Sequence, residues 1–247
     1  MSPLAALLED PGWFPTGLSQ DYRDILFGRT TRDALANEAF LDQRMSDAVT
    51  DTQHHPVDAV IAAQDGAAYE PPAFVFHSAF CCSTLLARAL DVPGLSLSLK
   101  EPDVLMGAAN ALRMQKDASA NTALVRSITG LLSRRFDAAE SVVVKPTNSA
   151  NNLMPHVADL GAKVLILYGD LRSFLVSVLK KGEACKSFVR TQYNIFALDE
   201  PGVAAIPARQ AMTFTDLQVA ALVWRHQLES FQCEILARPE GNIASLD

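Results

Sequence analysis

From residue 71 to residue 247 the chain switches repeatedly between two hydrophobic periods. Short runs crowded with Val, Ile, Leu or Phe occupy 73–77, 95–99, 141–145, 163–168 and 242–246, and these predict β-strands. Between them, apolar residues recur every three or four positions over 83–91, 103–113, 120–137, 149–160, 171–181, 186–197 and 214–237, which predicts helices. Strands separated by helices predict an α/β fold: a parallel sheet of about five strands with helices on both faces, the strand at 73–77 being central. Pro71-Pro72 marks where that strand begins. Chain order alone does not say which strands are neighbours.

Residues 1–70 have a different texture. Gly12-Trp-Phe-Pro-Thr-Gly17 is a turn-rich hydrophobic segment, while 20–27 and 31–48 have helical spacing, with Leu35, Phe40, Leu41 and Met45 on one apolar face. The expectation is an N-terminal helical cover over 1–70, packed on an α/β domain spanning 71–247. No catalytic motif stands in the cover.

Bulk properties narrow the function. With 247 residues, 49% of them hydrophobic, the chain can bury a substantial core as one large domain, or as one domain with a helical appendage. A net charge of -7 and a pI near 5.2 argue against nonspecific nucleic-acid binding, though not against a local basic pocket for a nucleotide. No apolar stretch approaches the roughly 20 residues that span a bilayer, and the N-terminus lacks the form of a signal peptide, so the expected compartment is cytoplasmic, with no membrane partner. The four cysteines, Cys81, Cys82, Cys185 and Cys233, lack CxxC spacing and read as free thiols. His77 ends a strand, and His54, His55, His156 and His226 offer no ligand spacing beyond one adjacent pair, so no metal is expected.

In a parallel α/β sheet, ligands bind beyond the carboxyl ends of the strands. Polar residues stand there four times: Ser78 to Thr84, Lys100-Glu101-Pro102-Asp103, Lys145-Pro146-Thr147-Asn148, and Gly169-Asp170-Leu171-Arg172 followed by Ser177. The first is the most informative, because small polar residues (Ser78, Cys81, Cys82, Ser83, Thr84) sit where strand gives way to helix. Helix starts present N–H groups without intrahelical partners and a partial positive charge, which suits a phosphate or sulfate. A buried strand followed by a capped helix has the same pattern without any ligand. Glu101 is placed to act as a base beside Lys100, or simply to cap the next helix together with Asp103. Cys82 and Arg88 satisfy the C-x5-R spacing of cysteine phosphatases, but Leu85-Leu86-Ala87 between them reads as buried helix rather than a curled loop. The Cys81-Cys82 pair could serve as a redox or metalloid sensor if exposed. No GxxxxGK[ST] motif occurs.

The strand–loop–helix at 73–90 resembles the sulfotransferase family of P-loop proteins, especially its bacterial branch. Ser83-Thr84-Leu85-Leu86 matches the Thr-Thr-Leu-Leu end of the family's phosphosulfate loop, with Cys82 in place of Gly and Phe80 in place of Lys or Arg. Gly169-Asp-Leu-Arg-Ser-Phe-Leu-Val-Ser177 resembles the second motif, with Ser177 kept and Gly169 at the Arg position. Lys100-Glu101-Pro102 resembles the Lys-Glu element of carbohydrate-modifying members, and Trp224 also fits the bacterial pattern. The resemblance covers about 73–247, and the family's usual C-terminal extension has no counterpart before Asp247.

The family likeness implies a sulfuryl transferase that takes 3′-phosphoadenosine 5′-phosphosulfate (PAPS) as co-substrate and an acceptor hydroxyl or amine, without a metal. Ser78, Cys81, Cys82, Ser83 and Thr84 would cradle the phosphosulfate, and Arg172 and Ser177 the 3′-phosphate. Glu101 would be the base, with Lys100 and Lys145 as stabilising cations. The alternative is a degenerate P-loop domain that binds a nucleotide, an anion or a protein partner without catalysis.

Overall fold

The structure is a computed structural model that describes residues 2–115, 117–199, 202, 206–239 and 241–247. It divides into two compact units, residues 1–76 with 84–164 and residues 77–83 with 165–247.

The first unit opens with α1 (Pro3–Glu9), capped by the Ser2 hydroxyl, which accepts from the Ala5 N–H. Three strands follow: β1 (Trp13–Leu18), β2 (Asp24–Arg29) and, after α2 (Arg32–Asn37) and a 3-10 turn (Gln43–Ala48), β3 (Thr52–Pro56). They form an antiparallel sheet in the order β1-β2-β3. The expected helical cover is therefore largely a small sheet.

The physical reasons are local. In β2, Ile25 and Phe27 are buried on one face, a period of two that so short a window cannot separate from helical spacing. Gly28 belongs to a close crossing, since a Cβ there would meet Thr16 and Val49 methyls at 2.9 Å. β3 reads Thr-Gln-His-His-Pro and carries no apolar signal; it pairs through its backbone. The expected helix over 31–48 breaks because the backbone is claimed elsewhere. Leu41 donates to Lys100 O at 2.7 Å and accepts from the Asp103 N–H at 2.9 Å. Leu35, Leu41 and Met45 are nevertheless buried, as their spacing implied.

The chain continues through α3 (Val57–Ala63), β4 (Ala73–His77), α4 (Ser83–Ala89), β5 (Ser96–Lys100), α5 (Asp103–Met114), α6 (Ala118–Leu132), β6 (Ser141–Lys145), a 3-10 turn (Asn148–Leu153) and α7 (Met154–Asp159). In the second unit come β7 (Val164–Leu167), which begins at the boundary, α8 (Leu171–Lys180), α9 (Glu183–Asp199), α10 (Ala208–Ala211), α11 (Asp216–Ala237) and β8 (Ile243–Leu246). A second sheet of five strands has the order β5-β6-β4-β7-β8, with β4 at its centre, and the β4–β6 and β5–β6 pairs are parallel. The α/β architecture expected from the hydrophobic periods is thus present, and its strands and helices fall close to where those periods put them.

Each unit has its own hydrophobic interior. In the first, Leu7, Ile25, Phe27, Val60 and Leu131 form a cluster beneath α1 and the antiparallel sheet. The Arg134 guanidinium closes it, donating to the carbonyls of Leu7, Leu8 and Asp10 at 3.1–3.2 Å, to Leu131 O at 2.9 Å and to Trp13 O at 2.5 Å. These bonds cap the C-terminal end of α1, whose last carbonyls lack helical partners. Burial pulls Arg134 down to about 10. In the second unit Phe174, Val178, Val189, Phe196, Val219 and Val223 form the core, with Phe80, Phe188 and Trp224 packed against it. There α11 starts with a capping box, in which Thr215 and Gln218 satisfy each other's backbone N–H groups.

Candidate functional site

Among the described residues, the segment after β4 is the most contorted stretch. Ala79, Phe80 and Cys82 have φ of 66°, 52° and 62°, a left-handed region that costs L-residues roughly 1–3 kcal/mol each. Something must hold them there, and within the second unit several bonds do. Ser78 N–H donates to Leu167 O at 3.1 Å, Ala79 N–H to His77 Nδ1 at 3.1 Å, and the buried Gln227 amide to Ser78 O at 3.2 Å. The Cys81 thiol lies 3.5 Å from Leu167 O, and burial pushes its pKa up, so it is no activated nucleophile. Cys82 is exposed.

Phe80 explains the direction of the twist. Its ring sits 5.2 Å from Phe174 and 5.8 Å from Phe188, centroid to centroid, and the Lys181 ammonium lies 4.6 Å from its centroid. The side chain is an anchor in the apolar core, and the backbone bends to deliver it. The N–H groups of Phe80, Cys81 and Cys82 then donate to no protein acceptor among the described residues. Adjacent N–H groups in a turn of this kind are suited to an anion. Ser83 is buried and Thr84 half-buried at the start of α4. Residues 83–89 are helical, as expected, so Cys82 and Arg88 are not joined by the curled loop a cysteine phosphatase needs.

The β7–α8 connection also belongs to the second unit. Gly169 lies beside Cys81, a Cβ built on it meeting the Cys81 Cβ at 3.8 Å, and its carbonyl accepts from the Trp224 indole at 2.8 Å. Asp170 caps α8 by accepting from the Ser173 N–H at 3.0 Å, and the Ser173 hydroxyl, donating at 2.6 Å, together with that N–H holds its carboxyl below the ordinary range. Arg172 is exposed and makes no ion pair among the described residues. Ser177 is five residues further on, so the two side chains leave α8 about 140° apart and do not share a face.

In the first unit Glu101 directly follows β5 with φ of 55°. Its N–H donates to Lys145 O at 2.6 Å, and its carboxylate takes the ammonium of Lys145, a side chain with no solvent exposure. The sequence expectation of a carboxylate beside a lysine holds, but the lysine is Lys145. Lys100 is equally buried and turns to α2, donating to Leu35 O at 3.1 Å and Ala36 O at 2.6 Å, with Asp91 at 3.9 Å. Burial lowers its pKa, opposed by Asp91. Lys100 therefore caps a helix. Burial, with the Asp42 charge, raises the pKa of the neighbouring carboxyl, Asp103.

Sequence reasoning named most of these residues but missed Gln227 and Lys181. A Gln or Lys on an amphipathic helix reads as solvent-facing, and nothing in its spacing signals a loop partner. Among the described residues no cluster of three or more His, Cys, Asp or Glu is placed to hold a metal, and no helix is long and apolar enough to cross a membrane. Compared with models of protein families, with curated proteins and with solved structures, the chain matches none.

Proposed function

We propose that the loop at 78–84 binds the phosphate or sulfate end of a nucleotide and that the chain is a PAPS-dependent sulfuryl transferase acting on a hydroxyl or amine. The observation that carries this reading is the strained loop, whose side-chain anchor Phe80 leaves three consecutive backbone N–H groups open. Backbone strain held by specific bonds is a recurrent mark of a working site. Glu101, also in the left-handed region and paired with the Lys145 ammonium, is the base that the family resemblance implies.

In the transfer, the acceptor oxygen or nitrogen bonds to sulfur while the bond from sulfur to the bridging phosphate oxygen breaks. As the family resemblance implies, Glu101 would take the acceptor proton, and adenosine 3′,5′-bisphosphate leaves. Lys145 is the ion-pair partner of Glu101, and Arg172 is an exposed cation that would take the second phosphate. Lys100 and Ser177 have no part in this reading, given where their side chains go. Titration calorimetry with adenosine 3′,5′-bisphosphate tests the site: binding is expected, and its loss in the Ser83→Ala, Thr84→Ala double variant. No heat at millimolar ligand would remove the nucleotide claim.

A non-catalytic nucleotide- or anion-binding domain is the second reading, and Phe80 favours it. The developing charge on a leaving phosphate calls for a fixed cation, and removing one such donor typically costs about 2.7–4 kcal/mol of transition-state stabilisation. Release of adenosine 3′,5′-bisphosphate from PAPS across a broad acceptor panel separates the two readings.

A further inference from the structure

A cavity of about 660 Å³ lies in the first unit, bounded by α1, by α3 with the loop that follows it, and by α6. That is room for about 20 water molecules at roughly 30 Å³ each, and it falls in the size range of small-molecule pockets. None of its lining residues belongs to the strand-end loop or to the Glu101–Lys145 pair.

Several of its polar side chains are spent on bonds within the walls. The Gln64 side chain accepts from the Ser127 hydroxyl, and the Tyr69 hydroxyl donates to Arg126 O at 2.8 Å. The Ser133 hydroxyl donates to Gly130 O at 2.8 Å, and the Arg134 guanidinium is spent on the carbonyls around the end of α1. Tyr69 packs so closely on α6 that a Cβ at Gly130 would meet its ring at 3.1 Å, so this wall is fixed. The charged lining residues are Glu9 and Asp65 against Arg126 and Arg134, two of each sign, so the cavity has no net charge to offer. What remains facing the space is mainly aliphatic, from Ala5, Leu8, Ile61 and Ala123. Water against such walls gains little, and an apolar guest would release it.

We propose that this cavity is a binding site for an uncharged, largely apolar small molecule, independent of the nucleotide reading. The volume sets the size of the guest, the mainly aliphatic lining makes it largely apolar, and the balanced charges make it neutral.

The test uses the full chain and the uncharged dye Nile Red. A saturable fluorescence rise with one dye per chain is expected, together with slowed amide exchange confined to residues 5–9, 61–69 and 123–134. Ala123→Trp and Ala5→Trp fill the cavity from two different helices, and each should weaken dye binding at least tenfold while keeping the far-ultraviolet dichroism. Absence of saturable one-to-one binding overturns the proposal. So does exchange protection elsewhere, or unchanged binding in both folded variants. Should either variant fail to fold, the exchange pattern of the wild-type chain decides.

Discussion

The two units treat their strand-end polar groups in opposite ways. In the first, three cations are closed off by protein: Lys145 by Glu101, Lys100 by the carbonyls of Leu35 and Ala36, Arg134 by a ring of carbonyls around α1. In the second, the loop after β4 spends its side chain Phe80 on the core and leaves backbone N–H groups open. Closed polar groups stabilise, because a buried donor or acceptor without a partner costs its full desolvation. Open ones at a strand end are available to a ligand. Residue type alone does not distinguish these outcomes, since lysine is the usual candidate for binding and phenylalanine the usual candidate for packing.

The contrast is broken most severely at Arg134. Arg134→Leu removes the donor from the carbonyls of Leu7, Leu8, Asp10 and Trp13 and should cost about 3–4 kcal/mol of stability by urea unfolding. An effect under about 1 kcal/mol would show that water replaces the guanidinium freely. Phe80→Ala comes next, at about 2–3 kcal/mol, less than for a fully buried aromatic because the ring is only partly covered. It should also abolish binding of adenosine 3′,5′-bisphosphate, since the backbone loses its anchor; retained affinity would mean that the loop conformation does not depend on the ring.

Glu101→Gln sharpens the comparison from the first unit. It removes the carboxylate from the Lys145 ammonium and should cost about 1–2 kcal/mol, a value discounted because the Glu101 side chain is 20% exposed. Under the proposed chemistry it abolishes transfer while nucleotide affinity stays within about twofold. Equal loss of both makes Glu101 structural.

Lys100 yields a pH signature. Its pKa in the folded chain lies below the ordinary 10.5, so between the two values the unfolded chain binds more protons than the folded one. Stability from this group therefore rises with pH through that window. Lys100→Met should flatten the alkaline part of the stability curve relative to wild type, measured by urea midpoints from pH 8 to 10.5. An unchanged slope would show that the ammonium titrates normally. The smallest effect is expected at exposed Cys82, where Cys82→Gly relieves a φ of 62° and should stabilise by about 0.5–1 kcal/mol.

Hydrophobic pattern determined the α/β part of this protein, because short strands such as 141–145 are dense in β-branched Val and helices such as 171–180 carry their period over several turns. It also determined that polar residues gather after β4, β5, β6 and β7, since strand ends are where a parallel sheet releases its chain. Tertiary structure alone decided the rest. The antiparallel sheet of residues 13–56 rests on backbone pairing that Thr52–Pro56 does not advertise, and on a close approach at Gly28. Which lysine meets Glu101, that Lys100 caps α2, and that Phe80 rather than a cation shapes the loop all depend on where side chains turn after the strand ends. Periodicity records which face a residue occupies along one element. It holds no information about which distant carbonyl, ring or carboxylate will stand opposite, and that choice carries the chemistry here.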